Sequence, residues 1–247
     1  MMADFEKIID SHCHWGPSRT LGTEVTTHEL KRQQEASGVT HVVIMPFPST
    51  AIESDRIHSK LLAETRKERV FIPYHYIRED YDREGFVPVP EDYYGGKWHW
   101  MRGQQDVASN YKILDDKNLS ALMERIAASG KPVIFEEELS FTERFVDMGE
   151  GVTLIIPHLG MLGGDPSDFL ASFGKRKNIY FDTALGSKDS ILKFVKKVGP
   201  ERVLFGSDVP FGAMKGELSK ILSLPISHED KELILSKNLI RLTGFES

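Results

Sequence analysis

Two histidines spaced i, i+2, His12 and His14, follow the apolar pair Ile8-Ile9 and the carboxylate Asp10. On an extended strand, residues two apart share a face, so both imidazoles aim at one point, as two nitrogen ligands of one metal ion would. Far along the chain, Arg202-Val203-Leu204-Phe205-Gly206-Ser207-Asp208 repeats the design, an apolar run that ends on a single carboxylate. Other apolar runs close on His75, Lys112, Glu136, His158 and Asp182. This is a set of imidazoles and carboxylates without thiolate, suited to zinc, manganese or iron. A lone histidine is more often a satisfied polar residue than a ligand, and His41, His58, His99 and His228 are read that way.

The elements that must position these residues alternate. Short apolar strands are expected at 8–14, 41–45, 70–76, 110–114, 132–136, 152–158, 178–182 and 203–205. Helical segments separate most of them: 26–37, opened by an N-cap-like Thr26, then 53–68, 118–128, 141–149, 165–173 and 187–198, with an amphipathic tail at 228–242. Strand–helix alternation implies a parallel sheet, and eight such units imply a closed (β/α)8 TIM barrel whose active site lies at the C-terminal ends of the strands. The rhythm breaks at about 78–105, where prolines, glycines, Tyr93, Tyr94, Trp98, Trp100 and Arg102 show no clean period. That stretch is expected as a lid or insertion loop, with an aromatic patch packed under the barrel or at a subunit contact as the alternative.

Length and composition agree with one domain over 1–247. The chain has 247 residues, 40% hydrophobic and 28% charged, which suits a single large core. A net charge of -6 and the lack of a basic stripe argue against nucleic acid as a partner. The single cysteine, Cys13, permits no intrachain disulfide, and the N-terminal residues lack the pattern of a signal peptide. No apolar run approaches the ~18 residues of a spanning helix, so no membrane partner and a cytoplasmic location are expected.

Asp10-x-His12-x-His14, His158-Leu159-Gly160 and Leu204-Phe205-Gly206-Ser207-Asp208 together resemble the amidohydrolase superfamily, in its amidohydrolase-related branch of metal-dependent TIM-barrel hydrolases and decarboxylases. The resemblance spans nearly the whole chain. It implies one or two divalent metal ions at the barrel mouth, zinc first and manganese second, bound by His12, His14 and Asp208, with His158 beside the metal-bound water. It departs at the end of the fifth strand, where the branch usually has histidine and this chain has Glu136. A carboxylate also ligates zinc or manganese, so Glu136 joins the expected ligands, with Glu138 as the fallback of equal strand parity. Lys112 falls where other branches carry a carbamylated lysine; a plain lysine that binds a substrate carboxylate is the more ordinary reading, with a surface lysine as the alternative.

The implied function is a metal-dependent hydrolase of a small-molecule ester, lactone or amide. Asp208 would be the general base, His158 would orient water or stabilise the oxyanion, and Asp10 would buttress one of the paired imidazoles. Lys112, Trp98 and Arg102 are the expected substrate-binding residues. Two alternatives stand beside this: non-oxidative decarboxylation of a small aryl carboxylic acid at the same site, and a metal-free barrel with a binding role. By analogy with similar barrels, a homodimer is the expected assembly.

Overall fold

The apolar runs pair side by side, each returned to the same edge by a helix. The computed structural model describes residues 5–100, 108–149 and 151–246. β1 (Ile9–Ser18) turns back into β2 (Thr23–Val25), and α1 (Thr27–Ser37) follows, capped by Thr26, whose side chain accepts the Glu29 N–H at 3.1 Å. Next come β3 (His41–Pro46), the short α2 (Pro48–Ala51), α3 (Arg56–Lys67), β4 (Phe71–Tyr76) and β5 (Gly95–Trp98). The chain continues through α4 (Leu119–Ala128), β6 (Val133–Phe135), α5 (Leu139–Met148), β7 (Leu154–Ile156), α6 (Pro166–Phe173), β8 (Ile179–Asp182), α7 (Lys188–Val198) and β9 (Val203–Leu204). Last are α8 (Met214–Leu222), α9 (His228–Glu232) and α10 (Asn238–Thr243).

The strand order is β2-β1-β3-β4-β5-β6-β7-β8-β9, with β2 antiparallel to β1 and every other pair parallel. The chain just past β9 then pairs with β1. Ser11 N–H donates to the Phe205 carbonyl at 2.8 Å, His14 N–H to that of Val209 at 2.9 Å, and Asp208 N–H to that of His12 at 2.7 Å. These bonds close the sheet into the expected (β/α)8 barrel, with β2 as an appended hairpin arm. They also bring the histidines of β1 beside Asp208.

Side chains alternate along the strands. Ile9, Val43, Ile72, Tyr74, Ile134, Ile155 and Leu204 fill the barrel interior, while Val42, Ile44, Phe135 and Phe181 belong to the outer layer between strands and helices. Each fully buried side chain of this size contributes roughly 1.5–3 kcal/mol of transfer free energy. The interior plug supports the polar residues that stand farther along the strands, toward the mouth.

The fourth barrel strand is not where the sequence predicts it. Residues 111–114 lie in a 3-10 turn, Tyr111–Asp115, preceded by its N-cap Asn110, and the strand is Gly95–Trp98, inside the stretch expected to be a loop. Two glycines conceal it, because glycine has low strand propensity. Packing demands one of them: a Cβ on Gly95 would lie 2.4 Å from the Tyr74 ring and 2.8 Å from the Pro132 carbonyl oxygen. The segment before β5 is fastened to α4, whose Arg125 donates to the carbonyls of Phe86 and Tyr81. The tail is helical as expected, with a π turn at Leu233–Lys237 between α9 and α10 that frees the Ile234 carbonyl to accept Phe205 N–H at 2.9 Å. α8 had no counterpart in the sequence reading.

Candidate functional site

At the mouth of the barrel, β1 and the turn after β9 set three atoms against one another. His12 Nε2 lies 3.5 Å and His14 Nε2 3.2 Å from Asp208 Oδ1, and all three residues are buried. His12 Nε2 and Asp208 Oδ1 have no hydrogen-bond partner among the described residues. Buried polar atoms are normally satisfied, and an unsatisfied one costs free energy unless a ligand pairs with it. Two nitrogens and a carboxylate oxygen at such spacings fit the donor set of a divalent transition metal.

The surroundings fix the orientation of these groups. His12 Nδ1–H donates to Asp182 Oδ2 at 2.9 Å, which leaves the Nε2 lone pair free for the common point. Asp182 Oδ1 accepts from His158 N–H and Ala184 N–H, each at 3.0 Å. Asp182 on β8 therefore does the work expected of Asp10. Asp10 touches neither imidazole: its Oδ1 accepts the N–H of His12 at 3.1 Å and of Ser207 at 2.9 Å, tying β1 to the strand-eight turn. His158 (φ 56°) and Asp208 (φ 55°) both hold left-handed backbone, a conformation that costs non-glycine residues and persists where the surroundings enforce it. Gly206 allows the close approach, since a Cβ there would sit 3.2 Å from His12 Cβ and 3.3 Å from Asp182 Cγ.

The electrostatics follow from this enclosure. Burial pushes the Asp208 carboxyl up, but His12 and His14 outweigh it and hold Asp208 below the usual carboxylate range. Burial opposes protonation of His12, yet the Asp208 and Asp182 carboxylates raise its pKa. Only burial dominates at His14, which is lowered.

On the far side, β5 and β6 contribute Lys97 and Glu136. Lys97 Nζ donates to Glu136 Oε2, and Lys97 has no exposed surface. Burial alone would raise the Glu136 pKa, but Lys97, His99 and His158 hold it well below normal. His158 Nε2 stands between the two carboxylates, 3.7 Å from Asp208 Oδ2 and 4.0 Å from Glu136 Oε1. His99 Nδ1–H donates to the Glu136 carbonyl at 2.6 Å.

These groups open onto a cavity of about 410 Å³, lined on one side by His14, Asp208, Glu136 and His99. Phe47 and Phe211 line it as well; Phe47 stacks on the His14 ring at 4.6 Å and Phe211 meets its edge at 5.9 Å. Leu162 and Phe211, exposed at 59% and 54%, form part of its rim. Large exposed apolar groups beside a cavity suit the apolar body of a ligand.

The expected site residues divide accordingly. His12, His14, Glu136, His158 and Asp208 meet at one mouth. Trp98 does not join them: it points outward, stacks on Trp100 at 3.8 Å and packs on Phe135 and Phe145, so it is core and not a substrate contact. Lys112 is exposed on the 3-10 turn rather than at a strand end, and Arg102 lies outside the described residues. His75 sits on the outer side of β4, where its Nδ1–H donates to the Pro88 carbonyl at 2.8 Å. Glu138 begins α5 and lines the cavity without joining the buried donor set. The sequence reading missed Lys97 and dismissed His99. Their signal was the period of two in Lys97-Trp98-His99-Trp100, polar residues inward and aromatic ones outward.

A family model described as Amidohydrolase matches residues 104–245 of the 247. No curated protein is similar enough in sequence to match. Among solved structures, a zinc-bound amidohydrolase from Burkholderia multivorans aligns with a TM-score of 0.76 at 14% identity, over 97% of this chain and 100% of that one. 5-Carboxyvanillate decarboxylase from Sphingomonas paucimobilis aligns with a TM-score of 0.72 at 13% identity, over 97% and 99%. A dihydroxybenzoic acid decarboxylase from a Polaromonas species, with bound manganese and the inhibitor 2-nitroresorcinol, gives 0.71 at 13% identity, over 96% and 97%. At such identities the structures share a fold with this chain, and the reaction is not carried over. The family match, by contrast, covers more than half of the sequence, and the chain belongs to the amidohydrolase family.

Proposed function

We propose that the protein is a metal-dependent hydrolase of a small ester, lactone or amide. The observation that carries this reading is the convergence of His12 Nε2, His14 Nε2 and Asp208 Oδ1 on one point, with two of these buried atoms unpartnered. His12, His14 and Asp208 would hold the ion, zinc or manganese. A bound divalent ion supplies Lewis acidity to a carbonyl and makes a water nucleophile available near neutral pH. Asp208 Oδ2 faces His158 and accepts the proton of the attacking water, then returns it to the leaving group. His158 Nε2 donates a hydrogen bond to the oxygen that gains charge, a role its left-handed backbone and Asp182 hold in place. The apolar walls keep bulk water away and strengthen these interactions.

A second reading, decarboxylation of a small aryl carboxylic acid, is favoured by the two phenylalanines that flank His14, since they offer faces and edges to a ring. The two reactions differ in product. Zinc- or manganese-loaded protein incubated with lactones, esters, amides and aryl carboxylates should release acids or amines from the first three groups. Carbon dioxide from an aryl carboxylate with no hydrolysis of the others would replace the first reading by the second. Inertness toward the whole panel would contradict both.

A further inference from the structure

The chain places a lysine beside the candidate metal centre, where a cation is no ligand. Lys97 points into the barrel from β5, has no exposed surface, and donates to Glu136 Oε2. A buried ammonium is tolerated only with an anion beside it, so Glu136 is committed to Lys97 in a way that Asp208 is committed to no cation. Geometry separates the two carboxylates further. Asp208 Oδ1 lies within 3.5 Å of both His12 Nε2 and His14 Nε2, whereas the other Glu136 oxygen, Oε1, stands 4.0 Å from His158 Nε2. Among the described residues, the groups close enough to share an ion contain His12, His14, His158, Asp182 and Asp208, and not Glu136. Glu136 is also anchored through its backbone, its N–H donating to the Trp98 carbonyl at 3.0 Å and its carbonyl accepting from His99 at 2.6 Å. Its side chain keeps 16% exposure and lines the cavity.

We infer that Lys97 and Glu136 form a fixed ion pair that withdraws Glu136 from the metal ligands and turns its second oxygen, Oε1, toward substrate, as the acceptor for an N–H or O–H donor beside the scissile group. Lys97 is the positioning residue of this pair. Charge supports the division: Lys97 balances Glu136, and the carboxylates left around His12, those of Asp182 and Asp208, match one divalent ion. The inference rests on the reading of a metal-binding mouth proposed above and assigns the substrate a polar donor that a plain lactone lacks.

Zinc titration of chelator-stripped protein tests it, with folding followed by circular dichroism. Glu136→Gln and Lys97→Met should bind zinc within about threefold of wild type, as expected for groups that do not touch the ion. Asp208→Asn should weaken binding by well over that factor. Loss of zinc in Glu136→Gln comparable to that in Asp208→Asn would overturn the inference and make Glu136 a ligand. On a substrate the wild type turns over, both pair variants should raise KM by roughly tenfold or more, the scale of a lost charged hydrogen bond, while kcat changes less. A fall in kcat with KM unmoved would overturn the substrate-facing role. Melting temperature gives an arm independent of metal: each single variant leaves one buried charge unpaired, so the double variant Lys97→Met/Glu136→Gln should melt above the worse single variant. A double variant no more stable than that single one would overturn the ion pair. Wild-type protein that takes up neither zinc nor manganese would overturn the metal-binding mouth, and the thermal arm would still decide whether Lys97 holds Glu136.

Discussion

Two clusters of buried imidazoles stand on opposite sides of the barrel wall. Inside the mouth, His12 lies 5.5 Å from His14 and 5.1 Å from His158, ring centre to ring centre. Outside, between β4 and α3, His58 and His75 are closer still, at 4.3 Å. The difference is in what the ring nitrogens meet. In the outer pair, backbone takes one nitrogen of each ring: His58 Nε2 accepts the Tyr76 N–H at 3.1 Å, and His75 Nδ1–H donates to Pro88, while His58 Nδ1 stands 3.8 Å from an Asp55 carboxylate already paired with Arg83. In the inner cluster carboxylates take them, Asp182 on one side of His12 and Asp208 on the other. Proximity of histidines is therefore a poor sign of a metal site; a free nitrogen facing an unpartnered carboxylate oxygen is a better one.

The largest way to break this contrast is Asp208→Asn. It should preserve the circular dichroism spectrum and lower turnover by about 10²–10⁴, the range of a lost general base, and a rate near wild type would remove Asp208 from the chemistry. Trp98→Ala acts on the outer layer instead. It should destabilise by about 3–5 kcal/mol in urea unfolding, the cost of deleting a buried tryptophan, with zinc affinity little changed in the folded protein. Asp182→Asn should cost about 10–100-fold in zinc affinity or activity, as expected for a group that orients a ligand without touching the ion.

Acid sharpens the comparison. Burial, joined by the neighbouring His75 ring and by Arg78 and Arg83 against Asp55, pushes His58 down to about 3; burial, joined by Arg83 and Arg78 against the Pro88 carbonyl and Asp55, pushes His75 down to about 4. Above pH 6.5, the ordinary value, both rings are neutral in folded and unfolded chains alike, and stability is at its full level. Below it the unfolded chain takes up protons that the fold refuses. Stability then falls by about 1.4 kcal/mol per pH unit for each histidine, until the folded values near 4 and 3 are reached. Unfolding measured from pH 7 to 4 in a His58→Gln/His75→Gln variant should show a flatter limb than wild type. Unchanged slopes would mean that the outer rings are not held neutral. Smallest of all, Lys112→Ala should stay within about 0.5 kcal/mol of wild type, as an exposed site away from the mouth.

Much of the site was legible because polar residues interrupt apolar runs at strand ends. His12, His14, His158 and Asp208 announce themselves against neighbours such as Ile155, Ile156 and Leu204. The barrel was legible from alternation, down to the Thr26 cap. What stayed hidden depends on contacts between distant segments. β5 is written in glycines because Tyr74 fills the space beside Gly95, and a missed strand carried Lys97 with it while lending its place to Lys112. Asp10, the near neighbour in sequence, is the expected buttress of His12 or His14, whereas barrel closure supplies Asp182 to His12 from 170 residues away. Phe47 and Phe211 lie in loops, where one-dimensional patterns do not say which side chain turns toward a cavity.

The most direct measurement is a crystal structure of zinc-soaked protein with data collected at the zinc absorption edge. One anomalous peak is expected at about 2.0–2.2 Å from His12 Nε2, His14 Nε2 and an Asp208 oxygen together, the bond lengths of zinc to nitrogen and carboxylate. A mouth without a peak, or a peak held by other residues, would contradict the convergence of these three side chains on one ion.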